Sequence, residues 1–131
     1  MRTLKPIRVS TALLGLAFLI ACTSQPQYTV RKLPSGHEVR LIGMGPIRFG
    51  DGTTGLMLNY QTDLDLSNKP ALKAEVEDVW SEFRYDVERG NYSSGIISAH
   101  GPTKGFFIKT GQSYNFVYSK GADGQWHMLE K

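Results

Sequence analysis

The chain has 131 residues, 15 Lys+Arg against 12 Asp+Glu, three histidines and a single cysteine. One cysteine excludes an intrachain disulfide, so any fold must hold by packing alone. Three of the 15 basic residues and none of the acidic ones lie in the first 21 positions, leaving 12 of each sign afterwards; that balance argues against a nucleic-acid partner, which needs a clustered basic excess.

Taken in chain order, the N-terminus has three zones. Arg2, Lys5 and Arg8 make a positive n-region, and Val9 to Ile20 is an apolar run of about a dozen residues. That length suits a signal peptide and falls short of the ~20 residues that span a bilayer comfortably. The run ends in Leu19-Ile20-Ala21-Cys22, which places the only cysteine directly behind it.

This arrangement resembles the bacterial lipoprotein signal, whose lipobox is Leu-x-small-Cys. The resemblance covers the first fifth of the chain. It implies that the Cys22 thiol becomes thioether-linked to diacylglycerol and that cleavage falls between Ala21 and Cys22, so that 1–21 are removed. The chemistry suits the residues, since a cysteine thiolate is a soft nucleophile and a small Ala21 lets a peptidase approach. Two acyl chains exceed the threshold for stable membrane attachment, which one chain does not reach. Residue 23 is Thr where, in enterobacteria-like sorting, an aspartate would retain the protein in the inner membrane. The resemblance therefore implies an outer-membrane lipoprotein, with membrane lipid as partner through acylated Cys22 and its domain facing the periplasm.

Residues 22–27, Cys-Thr-Ser-Gln-Pro-Gln, form a polar tether. As a flexible chain they reach roughly 13 Å, holding the following domain close to the headgroups. Residues 28–131 suit one small domain.

Tyr28 to Leu33 and His37 to Ile42 are short alternating runs separated by the turn-favouring Pro34-Ser-Gly36. A second strand pair, Pro46 to Phe49 and Leu56 to Thr62, flanks Gly50-Asp-Gly-Thr-Thr-Gly55. Leu56, Leu58 and Tyr60 alternate with Met57, Asn59 and Gln61, so one face is expected to be buried. A helix is predicted over 69–89. Leu72, Val76, Val79, Trp80, Phe83 and Val87 fall on one stripe, Ser67 or Asn68 is placed to cap it, Pro70 fits the first turn and Gly90 the C′ position. Four more strands are expected, at Ser94 to His100, Phe106 to Thr110, Ser113 to Ser119 and Gln125 to Leu129. The order of strands, helix, strands points to an α+β fold, an antiparallel sheet of hairpins packed on one central helix.

No catalytic constellation stands out, and the domain reads as non-enzymatic. The glycines from Gly43 to Gly55 lack the Gly-Lys-Ser/Thr of a phosphate loop and read as turns and bulges. His37-Glu38 opens like a zinc-protease motif, but position 41 is leucine; no Cys–His cluster exists, and no metal or cofactor is expected. Gly90-Asn-Tyr-Ser-Ser-Gly95 misses the spacing of a nucleophile elbow. Asp63 and Asp65 precede the helix, where they complement its dipole or hold a cation. The aromatic residues Trp80, Trp126, Tyr114 and Tyr118 read as core rather than as a ligand groove.

The outer helix face carries Glu75, Asp78, Glu82 and Asp86 at spacings of three or four, where like charges repel. That stripe is the candidate face for an envelope protein partner, against the ordinary reading of a solvated face offset by Lys73–Glu77 and Arg84–Glu88 pairs. The alternative to a binding or structural module is a small ligand-binding or catalytic domain using a helix–sheet cleft, with His100, His127 or Asp63.

Overall fold

A computed structural model describes residues 28–102 and 111–129. The expected strand at Phe106 to Thr110, and Ala21 and Cys22 with the rest of the leader and tether, lie outside the described residues. Strands β1 (Thr29–Lys32), β2 (Glu38–Arg48) and β3 (Thr54–Gln61) are followed by helix α1 (Lys69–Arg89). Strands β4 (Ser94–His100), β5 (Ser113–Lys120) and β6 (Trp126–Leu129) complete the fold. The six strands form one sheet whose spatial order is the order of the chain. The fold is α+β, with one helix packed against a mostly antiparallel sheet.

One pair departs from the antiparallel expectation. β3 and β4 run parallel, in register from Gly55↔Ser94 to Gln61↔His100. The cause is the helix between them. A helix of 21 residues, about 31 Å long, carries the chain back along the sheet before the next strand begins, and a parallel pair needs such a crossover.

The helix spans 69–89 because its apolar stripe has somewhere to go. Leu72, Val76, Val79, Trp80, Phe83 and Val87 are all buried against Leu56, Leu58 and Tyr60 of β3, Ile97 and Ala99 of β4, and Phe116 and Tyr118 of β5. Asn68 caps it, its Oδ1 accepting from the Ala71 amide at 3.4 Å, and Pro70 sits in the first turn. At the far end Gly90 donates to the Asp86 carbonyl with an ordinary φ of −83°, and Asn91 takes the left-handed conformation at φ 55°. Gly90 is suited for space instead. A Cβ there would stand 2.2 Å from the Tyr92 ring.

The glycine-rich stretch divides between strand and turn. Gly43 and Gly45 lie inside β2, after a register shift between Leu41 and Gly43 that marks a β-bulge. Gly52, at φ 86°, turns the chain between β2 and β3. Pro46, expected to open a separate strand, continues β2. The backbone runs on past the bulge because β3 pairs with it as far as Arg48↔Thr54.

Candidate functional site

The helix packs mainly over the two central strands, β3 and β4. Toward β1 and β2 the two layers separate into a cleft of about 270 Å³. Leu33, Val39, Leu41, Leu58, Val79 and Phe83 make its apolar walls, with Arg31, Glu82 and Asp86 at its polar edge. Its size is near the low end for small-molecule sites.

Glu82 and Asp86 of the acidic stripe border this cleft. Rather than facing open solvent, Glu75, Asp78 and Glu82 meet the β1–β2 hairpin. The Glu75 side chain is only 7% exposed. Its Oε1 accepts from the Tyr60 hydroxyl at 2.9 Å, and its Oε2 lies 3.1 Å from His37 Nε2. The Ser35 hydroxyl donates to the Asp78 carboxylate. Glu82 approaches Arg31 at 3.9 Å, and Asp86 approaches Arg89 of the same helix at 3.5 Å. Three of the four acids thus clasp the hairpin. This offsets the repulsion that their spacing would otherwise produce. Arg84–Glu88, expected as an offsetting pair, stands at 3.9 Å.

Burial, followed by the neighbouring Glu75 carboxylate, drives the Tyr60 hydroxyl far above its ordinary pKa. Tyr118 is raised in the same way by burial and then by Glu77. Both are held as neutral phenols, because a phenolate in either place would be desolvated beside a carboxylate.

The three histidines have separate local partners. His37 is part of the clasp just described. His127 Nε2 lies 2.9 Å from Asp123 Oδ2 across the β5–β6 turn. The Asp123 carboxyl is held below its ordinary range, first by the Gln125 amide and then by His127. His100 Nε2 lies 3.0 Å from Asn59 Oδ1 and 3.2 Å from Ser98 Oγ, on the sheet face away from the helix. A serine–histidine–acid triad needs the hydroxyl and the orienting group on opposite ring nitrogens. Here both meet the same nitrogen, so the arrangement stitches β3 to β4.

Asp63 pairs with Arg40 of β2. The Asp65 side chain accepts from the Ser67 amide and hydroxyl, at 2.9 and 2.8 Å, turning the chain ahead of the cap. Neither acid lies in the first turn of the helix. Among the described residues no group of three or more His, Cys, Asp or Glu side chains is placed to hold a metal ion.

The aromatic residues pack into core and rim. Trp80 stacks on Tyr118 and meets Trp126 edge-on with centroids 5.3 Å apart, while Trp126 Nε1 donates to Glu88 at 2.9 Å. Tyr114 lies under the Lys69 ammonium, 3.3 Å from its ring centre.

Sequence reasoning named the acids but missed their partners His37 and Tyr60. The usable signal was Tyr60 itself, since a tyrosine on the buried face of a strand needs a partner for its hydroxyl. Among the described residues no helix is long and apolar enough to cross a membrane. Comparison with known protein families, curated proteins and solved structures gave no match, so the site is read from its own chemistry.

Proposed function

We propose that this chain is a bacterial lipoprotein, anchored in the cell envelope through acylated Cys22, in the outer rather than the inner membrane. Its non-enzymatic domain acts by contact with another envelope protein or as structural support. The observation that carries the reading is the position of Cys22, directly behind Leu19-Ile20-Ala21 at the end of the apolar run. Only Thr23–Gln27 separate Cys22 from the start of the described domain at Tyr28. Metabolic labelling with palmitate and mass spectrometry test it. Wild type is expected to carry the diacylglyceryl mass on a chain beginning at Cys22. Cys22→Ser should accumulate as an unprocessed, unlabelled precursor, and a processed unlabelled wild type would overturn the anchor.

Partner contact is supported by the acid-bordered cleft on the β1–β2 side. Pull-down from native membranes, with wild type and with Asp78, Glu82 and Asp86 changed to serine, is expected to recover a partner that the variant loses. Recovery of none by either form removes the binding-module reading.

The cleft's apolar walls also favour a second reading, a small ligand-binding or catalytic domain. On that reading an apolar fluorescent dye binds the wild type, and Val79→Phe, which fills the space, abolishes binding. A dye that ignores both forms eliminates it.

A further inference from the structure

We infer that the β1–β2 edge of the sheet is the face the domain lays against the membrane, its occupant being a lipid surface with anionic headgroups. The inference rests on the lipid anchor proposed above, not on the partner reading, and assigns the orientation of the anchored domain; it turns the cleft, which Ile42 and Met44 also line, toward the headgroups.

Among the described residues, four of the seven exposed large apolar side chains lie on this edge: Tyr28 at 37% exposure, Val30 at 59%, Ile42 at 43% and Met44 at 54%. They are close together because Thr29 pairs with Leu41 and Val30 with Arg40, which brings the start of β1 alongside the bulge of β2. Basic side chains lie over three of the exposed tyrosines, Arg40 over Tyr28 on this edge and Arg84 and Lys69 over Tyr85 and Tyr114 elsewhere. A concentration of exposed apolar surface on one sheet edge marks an interaction site, and tyrosine beside arginine suits the headgroup level.

Charge is lopsided along the whole length of the same ribbon. β1 and β2 carry Arg31, Lys32, Arg40 and Arg48 against one acid of their own, Glu38. α1 carries six acids against four bases. From neighbouring elements Glu82 faces Arg31 and Asp63 faces Arg40. In both pairs the basic partner is at least a third exposed, and Asp63 is 83% exposed, so the bonds are weak and open to competition from phosphate. Basic side chains beside apolar ones are the combination that anionic interfaces hold.

The anchor selects this edge over the others. Tyr28 belongs to the patch and follows a stretch of only six residues from the lipidated sulfur, a reach of roughly 13 Å. The edge at β6 lies across the whole width of the sheet.

The test uses the acylated protein in phosphatidylcholine vesicles with brominated acyl chains, with and without phosphatidylglycerol. With Cys22 blocked by lipid, a fluorophore attaches only to a cysteine introduced by Val30→Cys or, at the far edge, Leu129→Cys. Bromine is expected to quench the label at position 30 several-fold more than the label at 129, and phosphatidylglycerol to widen the difference. Lys32→Gln with Arg48→Gln should remove that widening, each charge accounting for about a five-fold effect. Equal quenching at the two positions, on protein whose mass includes the diacylglyceryl group, overturns the orientation and leaves the anchor standing. Protein whose mass lacks that group overturns the anchor, and the orientation with it.

Discussion

The Trp80 indole lies flat on the Tyr118 ring, centroids 4.0 Å apart and planes 3° from parallel. The stack joins the middle of α1 to β5, crossing over β4 on the way. It fits because Gly95 stands beneath it: a Cβ at that residue would meet Trp80 Cζ3 at 2.6 Å and Val87 Cγ2 at 3.0 Å.

Gly95→Ala should therefore destabilise the domain although it adds one carbon and raises strand propensity. Overpacking of this kind costs about 1–3 kcal/mol, and Gly95→Val should cost more. Urea denaturation followed by tryptophan fluorescence measures it. A midpoint equal to that of wild type would mean that the indole has room to slide.

The helix stripe sets the second expectation. Leu72 and Phe83 are buried at 0% and 2% exposure. Leu72→Ala should lose about 2–5 kcal/mol and Phe83→Ala about 3–5 kcal/mol, the second also enlarging the cleft that Phe83 lines. Thermal melts that leave either midpoint unmoved would contradict the packing of α1 on the sheet.

Alkaline pH supplies the third. Tyr60 and Tyr118 both have folded pKa values raised above the ordinary 10.0. A raised value means that the unfolded chain releases protons first. The stabilising effect is full below pH 10 and is lost as pH climbs through the folded values, at up to about 1.4 kcal/mol per pH unit for each tyrosine. Unfolding should therefore set in above pH 10, with tyrosinate absorbance rising together with the loss of helix. In Tyr60→Phe the slope should be shallower, and baseline stability lower by about 1–3 kcal/mol because Glu75 loses a buried donor. Two phenols ionising smoothly near pH 10 in a chain that stays folded would refute their burial.

How much of this was written in the residue order depends on where the information lies. The helix was legible to its ends, because Leu72 to Val87 repeat at helical spacing while Asn68 and Pro70 mark the start; these are local signals. β4 was legible from Ser94 to His100 for a similar reason, its apolar and β-branched run being closed by Gly101-Pro102. The parallel alignment of β3 and β4 was not, since a strand does not record which way its neighbour runs. The continuity of β2 through Gly43, Gly45 and Pro46 was hidden as well. Those residues are poor strand formers, and β3 keeps them extended by pairing from the other side.

At the candidate site the identities were legible and the environment was not. Glu75, Asp78, Glu82 and Asp86 were visible as a stripe, but an exposed acid and one beneath a tyrosine hydroxyl are spelled alike. What distinguishes Glu75 is a hairpin some 38 residues earlier that brings His37 over it. Non-local contacts of that kind are decided by register, and register comes from the assembled sheet.

Neighbours in the sheet are also neighbours along the chain, from the first strand to the last. A polypeptide delivered N-terminus first would find each new strand's docking edge already laid down, so assembly could proceed as a zipper with no late threading between finished parts. Every pair but β3–β4, which waits for the helix between them, closes over a shorter connection, and short closures favour rapid folding. Such a topology lets a small domain take shape in the order in which its strands arrive.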